Sequence, residues 1–167
     1  MDSLLDLLRN YRSLGVVVDS NLLLLFFLGS YDRRQVDTNS RLQAYSQQDF
    51  DLLVQVLNRF RLLITTPHIL TEVSNLSSAI SERDREAYFR AIASHLTLLD
   101  EQRVASQVCL NSRWARFGLT DAAIATIAKK KYLVITDDFR LSQSLQNDGI
   151  DALNFNHLRQ AYWQMSN

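Results

Sequence analysis

Val16-Val17-Val18-Asp19-Ser20-Asn21-Leu22-Leu23-Leu24-Leu25-Phe26-Phe27-Leu28 is the stretch on which the reading of the whole chain turns. Three β-branched residues in a row read as a strand buried on both faces, because a strand with one wet face alternates apolar and polar positions. Asp19, Ser20 and Asn21 then offer side-chain oxygens to the free N–H groups that open a helix. The run from Leu22 to Leu28 is apolar on every side, so as a helix it has to be enclosed by the fold. A buried strand feeding an enclosed helix is the first unit of a layered α/β structure.

Working outward, the same alternation continues. Residues 49–60 have helical spacing (Phe50, Leu53, Val54, Leu57), and Leu62-Leu63-Ile64 reads as a strand. Thr66 and Pro67 then open a helix as N-cap and first helical residue. Further helices are expected over 85–94, over 101–111, from Asp121 with Thr120 as cap, and from Phe139. Further strands are expected over 96–99, at Leu133-Val134-Ile135 and over 152–155, with a last helix around Trp163. Strands alternating with helices predict a three-layer α/β fold: a central parallel sheet flanked by helices on both faces. Ligands in such sheets sit beyond the carboxyl ends of the strands.

The chain of 167 residues reads as one domain. Residues 1–15 form a helical extension before the first strand, carried by Leu4, Leu5, Leu7, Leu8 and Tyr11. Residues 29–48, polar and rich in Asp and Arg, read as a loop or insertion, either over a site or simply on the surface. An apolar content of 47% with 18 basic and 18 acidic residues excludes a disordered chain. It also excludes a protein that holds nucleic acid by an overall basic field, so a polyanion must be held locally. The lone Cys109 excludes a disulfide framework and suits a reducing compartment. The longest pure apolar run, Leu22 to Leu28, is far short of the roughly 20 residues of a membrane span. The start Met1-Asp2-Ser3 lacks the positive charge of a signal peptide. The expectation is a cytoplasmic protein with no membrane partner.

Several acids fall where a sheet would gather them. Asp19 follows the first strand, and Asp137 and Asp138 follow Leu133–Ile135 after Thr136; helix capping alone would account for each. Glu72 lies too deep in its helix to cap it and borders the stripe Ile69, Val73, Leu76 and Ile80. Asp121 suits the first turn of a helix. Its neighbours at i+3, i+4 and i+7 are Ile124, Ala125 and Ala128, a small apolar face on which an unpaired carboxylate is costly. Carboxylates gathered at one sheet end repel one another, and a cation relieves them. Oxygen donors without His or Cys select Mg²⁺ or Mn²⁺ over zinc. One or two such ions suit phosphodiester hydrolysis, because they activate water, orient phosphate and neutralise developing charge.

Other residues carry blander readings. His68, His95 and His157 share no helical face, and Cys109 reads as core. No glycine-rich phosphate loop is present. Arg113 and Arg116, with Trp114 between them, stand before Asp121; they are either a solvated face or a contact for substrate phosphate. Lys129 to Lys131 complements a helix dipole.

Four stretches, in this order, resemble a PIN domain: Val17-Val18-Asp19-Ser20-Asn21, Thr66-Pro67-His68-Ile69-Leu70-Thr71-Glu72, Gly118-Leu119-Thr120-Asp121-Ala122-Ala123-Ile124 and Val134-Ile135-Thr136-Asp137-Asp138-Phe139. The resemblance spans residues 16–158. It implies a Mg²⁺- or Mn²⁺-dependent endoribonuclease with RNA as substrate and Asp19, Glu72, Asp121 and Asp138 as catalytic metal ligands. Asp137 takes the variable middle place of the Thr-x-Asp motif, as bystander or spare ligand. Asn21 and Thr136 match polar positions that orient ligands or phosphate, and Ser20 is placed with them. The family includes toxins paired with an antitoxin protein as well as stand-alone nucleases, and its members often form homodimers. The helical extension and the longer stretch from Asp19 to Glu72 depart from the compact toxins. Two rivals remain: an inactive PIN-like module that binds RNA or a protein partner, and a DNA nuclease of the flap-endonuclease type.

Overall fold

The three valines at 16–18 form the centre of a parallel sheet, with Val16 and Val17 fully buried. The computed structural model describes residues 2–110, 112–129 and 131–166, leaving the side chains of 2, 3, 112–114, 165 and 166 aside. Its strands are β1 (Val16–Val18), β2 (Leu63–Thr65), β3 (Leu99–Glu101), β4 (Leu133–Thr136) and β5 (Ala152–Asn154). They lie in the order β3-β2-β1-β4-β5. Val17 stands opposite Ile64 on one side and Val134 on the other, and Thr136 opposite Asn154.

Each parallel step needs a crossover, and crossovers are right-handed. The chain steps outward from β1 to β3, then returns to the other side of β1 and steps outward again to β5. The two sets of crossing helices therefore cover opposite faces, which gives the three layers. Between β1 and β4 the direction reverses, leaving a crevice at their carboxyl ends.

The helices are α1 (Asp2–Asn10), α2 (Ser20–Tyr31), α3 (Gln35–Thr38), α4 (Gln47–Leu57), α5 (Pro67–Leu76), α6 (Glu82–Leu96), α7 (Ser112–Phe117), α8 (Leu119–Ala128), α9 (Phe139–Asn147) and α10 (Phe155–Ser166). α2 is enclosed as its composition demands: Leu22 to Leu25, Phe27 and Leu28 are all buried, and α3, α4, α5 and α6 pack around it. Among the described residues, no helix is long and apolar enough to cross a membrane.

Gly29 lies inside α2, where a Cβ would overlap the ring of Phe50. Alanine is the better helix former by about 1 kcal/mol, yet here it would push Phe50 out of its seat. Gly29→Ala is expected to lower stability by about 1–3 kcal/mol in urea unfolding. A gain instead would mean that Phe50 moves aside freely.

Four features depart from the expected reading. Residues 29–48 are not one polar loop: they contain the end of α2, all of α3 and the start of α4, with Val36, Leu42 and Tyr45 buried. The helix expected over 101–111 is absent. Glu101 instead pairs with Thr65, and only a single 3₁₀ turn, Ser106–Cys109, follows. Val108 and Leu110 stay exposed there, so the apolar spacing never forms one buried stripe. The third strand sits at 99–101 because α6 runs on to Leu96. α8 begins at Leu119 with Gly118, at φ +95°, in the cap position that Thr120 was expected to fill.

Candidate functional site at the carboxyl ends of the strands

Asp19 is the residue immediately after β1, and the switch point of the sheet buries it to 7% exposure. It caps α2, accepting the Asn21 N–H at 3.4 Å, and it also accepts the Thr136 hydroxyl from the end of β4. That hydroxyl in turn accepts the Asp138 N–H at 3.0 Å. A chain of donors thus ties the ends of the two central strands together around one carboxylate.

Each of the polar residues Ser20, Asn21 and Thr136 donates to a different acid. The Ser20 hydroxyl donates to Glu72 on α5 at 3.1 Å. The Asn21 amide donates to Asp137 at 3.4 Å. Thr136 donates to Asp19. Three carboxylates from three parts of the chain are therefore held around the start of α2.

Electrostatics follow from this crowding. The Asp19 carboxyl is pushed up from 3.8 to about 7. Burial is the largest cause, offset by the Thr136 hydrogen bond and reinforced by the negative charges of Asp137 and Glu72.

Asp137 and Asp138 divide their work in the opposite way from the expected one. Asp138 is exposed and spends one oxygen capping α9, accepting the N–H groups of Arg140 at 2.7 Å and Leu141 at 3.0 Å. Asp137 turns inward toward Asn21 and Tyr45, and its charge reaches Asp19. Its backbone carbonyl accepts the side-chain amides of Asn154 and Asn156 at 3.4 and 3.2 Å. The one-residue offset is a backbone effect: the residue at the helix end caps, so its predecessor faces the crevice.

Glu72 and Asp121 both line a cleft of about 500 Å³ between α5 and α8, whose lining includes His68, Thr71 and Phe117. Asp121 is half-buried, and the face beneath it, Ile124, Ala125 and Ala128, is buried. Arg116 is exposed, with its guanidinium 5.0 Å from the centre of the Phe117 ring, which puts a cation near the cleft wall. The side chain of Arg113 lies outside the described residues.

Two contributors were not anticipated. The Tyr45 hydroxyl donates to Asp137 at 2.5 Å, and its phenol is pushed far up, first by burial and then by the Asp137 charge. It therefore remains a donor at any physiological pH. No local pattern marks Tyr45, since 92 residues separate it from its partner. His68 had been set aside with the other histidines, yet it lines the cleft, with its Nε2 3.0 Å from the Ser106 hydroxyl. Its position in the first turn of α5, one residue after Pro67, is the available signal.

The acids at this site offer oxygen donors, the type that Mg²⁺ and Mn²⁺ take. A buried carboxylate pressed by two others is a group that a cation would relieve. As the side chains lie, however, no three carboxylate, imidazole or thiol groups among the described residues stand close enough together to hold one ion. The donor chemistry fits a hard cation, and the side chains would have to close on it. Compared with protein-family models, with curated proteins and with solved structures, the chain matches none of them.

Proposed function

We propose that the protein is a PIN-like endoribonuclease that needs Mg²⁺ or Mn²⁺ and hydrolyses RNA at the cleft beside Asp19. One observation carries this reading: a carboxylate buried at the switch point of the sheet, with the negative charges of Asp137 and Glu72 against it. Such a burial costs stability and is retained where it has work to do. When bound, the ion supplies Lewis acidity and charge neutralisation for attack by water on phosphorus.

The chain's own residues do the rest. Asp19, Glu72 and Asp137, with Asp121 from the cleft lining, would hold the ion; Asp137 takes the place that the resemblance gave to Asp138. Ser20, Asn21 and Thr136 orient those carboxylates through the hydrogen bonds they already make. Arg116 stands ready to contact a phosphate. An antitoxin partner and a homodimer rest on the resemblance and gain nothing from the geometry.

The test is cleavage of labelled single-stranded RNA in Mn²⁺ with Asp121→Asn. The variant is expected to keep its fold and to lose more than the roughly 10- to 100-fold that an outer partner costs a metal site. Full activity in a clean preparation would reject the assignment. Among the described residues no three such groups stand ready to hold an ion, which favours one second reading, a non-catalytic module that binds RNA or a protein. RNA binding without any Mn²⁺ binding in calorimetry would decide for that module.

A further inference from the structure

The opposite pole of the sheet, at the amino ends of β1 and β2, carries a different charge. Arg12 lies between α1 and β1, Arg59 and Arg61 between α4 and β2, and Arg9 on α1. The Arg61 N–H donates to the Arg12 carbonyl at 2.8 Å, locking the two connections together. Two cavities of about 380 and 510 Å³ share Arg9, Arg12, Asn58 and Arg59, and the larger adds Ser13 and Arg61. Because they share walls, they form one continuous groove whose lining includes four arginines.

These charges are not neutralised within the fold. Arg9 reaches Asp6 at 3.6 Å, but both side chains are largely exposed, a pairing worth little. Arg12, Arg59 and Arg61 take part in no ion pair among the described residues. Asp151, just before β5, accepts the Tyr11 hydroxyl at 2.6 Å instead of pairing with an arginine. In a chain with zero net charge, this is a local surplus of positive charge set in a concavity.

We propose that this groove binds the phosphodiester backbone of a single-stranded nucleic acid. Guanidinium groups present forked donors that match phosphate oxygens two at a time. Four arginines on one continuous lining suit successive phosphates of a strand. Its apolar lining residues, Leu8 and Phe60, are 5% and 8% exposed, so a folded protein would find no apolar anchor. It also presents no exposed aromatic ring for a base, so binding reads the backbone and is insensitive to sequence. The site is separate from the carboxylate cleft and does not depend on its chemistry.

The test is fluorescence anisotropy of short labelled oligo(U) and oligo(dT) in EDTA, where metal-dependent cleavage is silent. Wild-type protein is compared with Arg12→Gln/Arg59→Gln/Arg61→Gln between about 50 and 200 mM salt. All three positions are exposed, so the variant is expected to melt as the wild type does. Binding of oligo(U) is expected to weaken at least tenfold, with the slope of log K against log salt reduced by about 2 for three lost contacts. Equal binding of oligo(dT) would confirm backbone recognition, and a preference for oligo(U) would add a 2′-hydroxyl contact to it. An unchanged affinity and slope in the variant overturns the proposal. So does tighter binding of a polyglutamate peptide of equal charge, which would assign the face to an acidic protein. Cleavage can fail with this binding intact, and the reverse, so the two readings fall separately.

Discussion

Metal-free Asp19→Asn is expected to melt at a higher temperature than wild type at about pH 8, with the gap closing as the pH falls toward 4. The folded protein holds the Asp19 proton up to about pH 7, whereas the ordinary carboxyl value is 3.8. Between those values the folded state keeps a proton that the unfolded chain has released, so wild-type stability falls as pH rises. A shift of this size has a ceiling on the order of 4 kcal/mol. Relaxation around the ionised group reduces that, leaving an expected gain of about 1–3 kcal/mol, or about 3–10 °C. Asparagine keeps an oxygen to cap α2, so the helix end is not lost with the charge. The same substitution is expected to abolish metal-dependent cleavage. A variant less stable than wild type at high pH would mean that the carboxylate is well served where it stands, and the case for cation binding there would fail.

Saturating Mn²⁺ is expected to reverse the relation. A ligand that binds only the folded state at a hundredfold excess over Kd stabilises it by about 2.7 kcal/mol, a rise of about 5–10 °C for a chain of this size. Asp19→Asn and Glu72→Gln should both lose that rise, because each removes a donor from the shared site. Scanning calorimetry at matched ionic strength separates the effect from general screening, with Ca²⁺ and Na⁺ as controls. A flat wild-type response to millimolar Mn²⁺ would leave the acids as helix caps and hydrogen-bond acceptors, and the non-catalytic module as the better reading.

Much of the architecture was legible because its signals are local. A run of β-branched residues, a Thr-Pro helix start and an all-apolar helix each follow from a handful of adjacent residues. The segments that misled are those where pairing overrode pattern. Glu101 joined a strand because Thr65 was there to pair with it, and the apolar residues of 104–110 then had no helix to share. Residues 29–48 read as a polar loop or insertion, yet Val36, Leu42 and Tyr45 anchor them. A few well-placed apolar side chains bury a segment that its average composition would leave in water.

The acids were found in the same manner, as residues that follow strands or interrupt apolar faces. Their roles were less legible. Asp137 and Asp138 are neighbours of identical chemistry, and the start of α9 alone determines which one caps and which one faces Asp19.

From the sequence by itself came the alternation of strand and helix, the parallel sheet it requires and the placing of Asp19 and the Thr136-Asp137-Asp138 stretch at strand ends. Periodicity and capping depend on neighbours within a turn or two, so one chain suffices to read them. The tertiary structure alone decided that Tyr45 reaches Asp137, that Glu72 and Asp121 line one cleft, and that Arg12 and Arg61 share a groove at the far pole. Those meetings depend on strand order and crossover handedness, which bring together residues separated by tens of positions.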